Sequence, residues 1–166
     1  MATVTQNYGA YTTLSVTSLN TLLSNAANGW QSDLIDNISS VRALDYKLYI
    51  GLSCSNIAPA NDKAAYVYLC PATSSATWDF SDGGTTTIPS GTNGLYTVGS
   101  TNNLKLAGVL SYTAQNQRIQ GEFNALNAFG SSMPDGFSVI LVNFTGTQLG
   151  TGGNVVAYRA LKRDVA

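Results

Sequence analysis

Between residues 44 and 52 apolar side chains recur at every second position: Leu44, Tyr46, Leu48, Ile50 and Leu52 share one parity, while Asp45 and Lys47 take the other. A pleated strand with one face on a core puts such a series on one side. The period returns in 104–112, where Leu104, Leu106, Leu110 and Tyr112 stay in register around Gly108, and in 118–123, with Ile119 and Phe123 inward and Arg118, Gln120 and Glu122 outward. The segment 64–70 is apolar at both parities, as expected of a strand held between two layers. Further strands are expected at 11–17, 78–80, 137–144 and 154–159, which makes about eight, separated by Gly, Asn, Pro and Ser. In Met133-Pro-Asp-Gly136 the proline presets φ for a turn. Ser81-Asp-Gly-Gly84 and Asn28-Gly29 read as turns too, the latter leading into Trp30, a buried anchor. Leu19, Leu22 and Leu23 stand at helical spacing behind Ser18, enough for one or two turns of helix over 18–25.

Composition supports the same class. Glu122 is the sole glutamate among 166 residues, so exposed helix faces lack their usual residues. No long helix alternates with the strands, and no internal repeat is evident. The chain is read as all-β: an antiparallel two-sheet β-sandwich, jelly-roll-like, with at most one short helix. Residues 1–11 are read as an N-terminal arm, 12–160 as the sandwich domain and 161–166 as a C-terminal tail.

The charge balance excludes several functions. Eight Lys plus Arg against nine Asp plus Glu leave a net charge of -1, so no broad field exists to hold nucleic acid or an anionic membrane. Ser, Thr, Asn and Gln make up about a third of the chain, which implies a neutral, hydroxyl- and amide-rich surface. There is no histidine, which removes Ser-His-Asp and Cys-His activation and every His-containing metal site. The expectation is a non-enzymatic protein with no catalytic, cofactor-binding or metal-binding residues. The first basic residue is Arg42, so the start of the sequence lacks the basic region of a secretory signal. The purest apolar run, Val139-Ile-Leu-Val142, falls far short of the roughly 20 residues that span a bilayer. Synthesis in the cytoplasm and no membrane partner are expected.

Each remaining motif has a structural counterpart reading. Gly150-Thr-Gly-Gly153 lacks the Gly-Lys-Ser/Thr ending of a phosphate loop and reads as an inter-strand turn. Asp79, Asp82, Glu122 and Asp135 could supply paired carboxylates, and Asp79-Phe-Ser-Asp82 oxygen ligands for calcium, but they read as turn and surface residues. Trp30, Trp78 and nine tyrosines could stack on sugars, although Tyr46, Tyr66, Tyr68 and Tyr112 stand at core-like positions. Asn37-Ile-Ser39 and Asn143-Phe-Thr145 match the glycosylation acceptor and carry no weight without a secretory signal. Arg159, Lys162 and Arg163 form a basic end, solvated or docked on an acidic neighbour. If 44–54 and 64–70 pair as a simple hairpin, Cys54 and Cys70 stand on the order of 20 Å apart at 3.3 Å per residue. A disulfide needs Cα atoms within about 7 Å, so two reduced thiols are expected.

One ordered set of motifs carries a family resemblance: Trp30-Gln-Ser32, Asp36-Asn37, Tyr66-Val-Tyr-Leu69, Met133-Pro-Asp-Gly-Phe137, Val142-Asn-Phe-Thr-Gly146 with Leu149, and Asn154-Val-Val-Ala-Tyr-Arg159. Over residues 30–160 the chain resembles the small β-sandwich virion proteins of tailed bacteriophages, the decoration or cement proteins of the capsid shell. The resemblance implies a structural, non-enzymatic homo-oligomer, as a trimer, that binds the major capsid protein between capsomers on the virion surface. The second reading is a glycan-binding or host-adhesion module, or a tail or fibre component. Residues 1–11 and 160–166 are the candidate reaching segments, able to add to a neighbour's sheet.

Overall fold

The alternation read at 44–52 becomes strand β5 (Asp45–Ser53), in which Tyr46, Leu48, Ile50 and Leu52 are buried and Lys47 and Tyr49 are half-buried. Leu44, however, lies outside the strand and is exposed, and Asp45, expected outward, is buried where its carboxylate accepts from Tyr46 N–H and Leu126 N–H. The computed structural model describes residues 4–25, 27–38, 42–60, 62–72, 91–98, 101 and 104–165. Two antiparallel sheets pack face to face. The first runs β1 (Val4–Tyr8), β11 (Val155–Val165), β5 and β9 (Arg118–Asn124), with β2 (Thr12–Thr13) also on β11. The second runs β7 (Gly94–Thr97), β3 (Asn28–Gln31), β10 (Gly136–Phe144), β6 (Ala64–Ala72) and β8 (Lys105–Ser111), with β4 (Ile35–Asp36) on β10. One helix, α1 (Ala125–Phe129), occurs among the described residues. The fold is thus an all-β two-sheet sandwich.

The main core lies between the sheets, where Leu48, Ile50, Leu52 and Val156 of the first meet Trp30, Val67, Leu69, Val139 and Leu141 of the second. A second apolar layer sits on the outer side of the second sheet: Ile140 and Val142 of β10 are buried there with Cys70, Tyr96 and Leu104. This is why β6 and β10 are apolar at both parities, as a strand between two layers must be. Tyr66 and Tyr68, expected in the core, stand half-buried on that outer side, because β6 turns Ala65, Val67 and Leu69 inward instead. At the side where β8 faces β9, the Phe123 ring lies over Gly108, and a Cβ on that glycine would come within 2.0 Å of the ring. The absence of a side chain there lets Phe123 close the sandwich.

Several local expectations are corrected. The segment 18–25 forms a single 3-10 turn, Thr17–Leu19, because its backbone is drawn to neighbouring strands: Leu149 N–H and the Asn143 amide both donate to Leu22 O. Leu19 and Leu22 are buried, but Leu23 is 60% exposed. Asn28-Gly29 is part of β3, not a turn; a Cβ on Gly29 would meet Leu141 O at 2.8 Å, so the glycine serves close strand approach. β5 and β6 lie in different sheets, so the hairpin assumed for the cysteines does not form. Cys54 and Cys70 are nonetheless buried and not joined by a disulfide, and burial pushes the Cys54 thiol up. The strand and turn expected at 78–84 lie outside the described residues.

The two segments read as a free arm and tail pair with each other. Val4 to Tyr8 run antiparallel to Val165 to Leu161, so both ends of the described chain belong to the first sheet. Backbone pairing needs no apolar pattern, and Thr5, Gln6 and Asn7 remain exposed.

Candidate functional site

The pairing of the termini creates the most distinctive surface of the molecule. β11 pairs with β5 from Val155↔Gly51 to Leu161↔Asp45, whereas its pairing with β1 continues to Val165. Residues 162–165 therefore outrun β5. The divergence has a local cause: Leu44 N–H still donates to Leu161 O at 2.8 Å, but Ala43 N–H turns to the Asn37 side chain at 2.9 Å and carries the chain away. Along an antiparallel strand successive residues aim their backbone groups to opposite sides. Gly9 N–H donates to Ala160 O, so 160, 162 and 164 serve the β1 side and 161, 163 and 165 the other. Beyond Leu161 no described strand occupies that other side.

Two neighbourhoods flank this overhang. On the inner face a shallow cleft of about 410 Å³ is lined by Asn7, Thr12, Asp36, Tyr46, Tyr158 and Lys162, among others. Tyr46 donates to Asn37 Oδ1 at 3.0 Å, and burial pushes its hydroxyl pKa up to about 12. On the outer face the Arg159 guanidinium lies 4.8 Å from the Tyr8 ring centre and 4.7 Å from that of Tyr11. Tyr11 donates to one oxygen of Glu122 at 2.8 Å and Lys47 reaches the other at 3.0 Å. These two bonds, the tyrosine first, hold the Glu122 carboxyl below its ordinary value. Tyr49 joins Gln120 at 2.9 Å and stands edge-on to Tyr11. The outer face of the first sheet is thus a hydrogen-bonded aromatic and charged layer that staples the N-terminal segment to β5, β9 and β11.

Other residues singled out in the sequence serve structure. Glu122 and Asp135 belong to separate ion pairs, Asp135 with Arg42 at 2.7 Å; Asp79, Asp82 and Trp78 lie outside the described residues. Among the described residues no group of three or more His, Cys, Asp or Glu side chains could hold a metal ion. The Gly150–Gly153 stretch is pinned by Asn154, whose amide donates to Gly150 O at 2.9 Å while its oxygen accepts from Ser53 N–H. Trp30 is fully buried and donates to Asn93 at 2.7 Å. Tyr112 is buried too, and burial raises its hydroxyl pKa.

Both acceptor-like asparagines are consumed internally. Asn143 is 1% exposed; its amide donates to Leu22 O and Thr147 O, and its oxygen accepts from Thr145. Asn37 donates to Pro134 O and accepts from Ala43 and Tyr46. The Thr145 of the acceptor pattern is a corner residue, hydrogen-bonded to Asn143 and Thr147. The network of Tyr8, Tyr11, Lys47, Tyr49 and Glu122 was not assembled from sequence; only the outward parity of Lys47 and Glu122 signalled it. No family model matches the chain, and neither a curated protein nor a solved structure matches it.

Proposed function

We propose that this chain is a structural virion protein that decorates a bacteriophage capsid, binding the major capsid protein between capsomers as a homo-oligomer and stabilising the shell without chemistry of its own. The observation that carries the reading is the overhang of β11, a strand edge paired with β1 on one side and covered by no described strand on the other. Such an edge is a template for adding a neighbour's strand. The sandwich behind it is packed through two apolar layers, and the resemblance of its ordered motifs to those of small phage β-sandwich proteins suggests the class of partner. Virion placement on the capsid surface follows from the same reading. The test is the copy number of the chain on purified particles. A number matching the capsid lattice supports decoration; a handful of copies per particle supports a tail or fibre component instead.

The outer face of the first sheet favours a second reading, a glycan-binding or adhesion module. Tyr8, Tyr11 and Tyr49 stand there beside Lys47, Gln120 and Glu122, the mixture of ring faces and polar groups that sugars use. Glycan-array binding that disappears in Tyr11→Ala would support this reading, whereas binding unchanged in that variant would remove it from this face.

A further inference from the structure

We infer that the open side of residues 162–165 accepts an extended acidic segment of a partner protein as an added β-strand. This deepens the shell-binding reading and rests on it for the setting, while its evidence is the local geometry. The Arg163 N–H and C=O point to the side that β5 vacates, by the alternation anchored at Ala160 O and Leu161 O. A strand laid there would exchange backbone hydrogen bonds with Arg163 and Val165, and its alternate side chains would fall on two faces. One set enters the tyrosine-lined cleft beside Lys162; the other lies on the outer face near Arg163.

Charge selects the occupant. Lys162 and Arg163 are exposed, and no described carboxylate forms an ion pair with either. Of the described carboxylates nearby, Glu122 binds Lys47 and Tyr11, and Asp36 accepts from Ile38 N–H at 2.8 Å. A strand carrying glutamate or aspartate on both faces therefore finds a cation on each.

Arg163→Pro separates the edge from the fold, because proline deletes an N–H that faces the open side and is tolerated at such a position. The experiment titrates the full isotope-labelled chain with the peptide acetyl-Thr-Val-Glu-Val-Glu-Val-Thr-amide and with its counterpart bearing lysine for glutamate. The expected result is hydrogen-exchange protection of the Arg163 amide and shifts around 161–165, with the lysine peptide weaker by roughly tenfold or more. Arg163→Pro abolishes binding with an unchanged melting curve, and the Lys162→Glu, Arg163→Glu double variant, which keeps the N–H, reverses the preference to the lysine peptide. Equal binding of both peptides, shifts centred elsewhere, or full binding by Arg163→Pro would overturn the inference. A concentration-dependent dimer that Arg163→Pro dissolves would overturn it in favour of self-pairing. Particles that carry Arg163→Pro at the wild-type copy number would discard the acceptor edge and leave the shell reading standing. Peptide capture at Arg163 by a chain absent from particles would do the reverse.

Discussion

The two outer faces of the sandwich are built on opposite principles. On the first sheet the face is a hydrogen-bonded layer of tyrosines, Lys47, Arg159 and Glu122 around the N-terminal segment. On the second it is an apolar layer, with Ile140 and Val142 as deeply buried as the residues between the sheets. The contrast shows that burial, not position in the sandwich, sets the energetics of each face. The second sheet is packed on both sides; the first is packed on one side and stapled on the other by bonds that solvent reaches.

The strongest way to break this comparison is to truncate matched positions. Ile140→Ala should cost about 2–5 kcal/mol in denaturant unfolding, close to Leu141→Ala on the inner side of the same strand. Tyr49→Ala on the opposite outer face should cost clearly less. An Ile140 variant as mild as the Tyr49 variant would mean that the second layer is no core. Next in size, Gly108→Ala should cost about 1–3 kcal/mol, since its new methyl meets the Phe123 ring. Adding Phe123→Leu should recover part of that loss in a double-variant cycle, and strict additivity of the two would show that the ring does not fill the glycine's space.

The smallest effect is electrostatic and sharpens the contrast through pH. Because the folded Glu122 carboxyl titrates below its ordinary value of 4.5, its stabilisation is fully present above that value and is lost as pH falls through the folded one. The advantage of wild type over Glu122→Gln, measured by thermal unfolding at pH 7, should therefore vanish on acidification into that range. Since the carboxylate is exposed, added salt should shrink it as well. A difference between the two proteins that grows in acid would contradict the staple.

How much of this was legible in the sequence follows from how local each cause is. Strands β5 and β9 could be read because burial of one face writes a period of two directly into the chain. β10 is buried at both parities, and in β8 the expected register breaks at an irregularity in its pairing with β6, so that Leu104 joins the outer layer, Leu110 and Tyr112 the main core, and Leu106 is 51% exposed. The doubly apolar 64–70 announced a strand between layers, and that is where β6 lies. Tyr66 and Tyr68 went astray because period two says which residues share a face but not which face meets the main core. The helix expected at 18–25 failed because long-range bonds from Leu149 and Asn143 claimed Leu22 O, a tertiary effect that overrides local spacing. The pairing of Val4 with Val165, and with it the open edge, depends on closure across the whole chain and leaves no mark on Thr5, Gln6 or Asn7. The two asparagines of the acceptor patterns are conspicuous in sequence for a reason that was not read there, since each fills a buried corner with several hydrogen bonds.

If this domain works by adhesion, its place in an electron-microscopy map of the intact particle decides the matter. Sandwich-shaped density repeated at the sites between capsomers, with the far end of β11 turned toward the shell, is the predicted result. Absence of the chain from the capsid lattice, or its presence at the tail alone, would contradict the account.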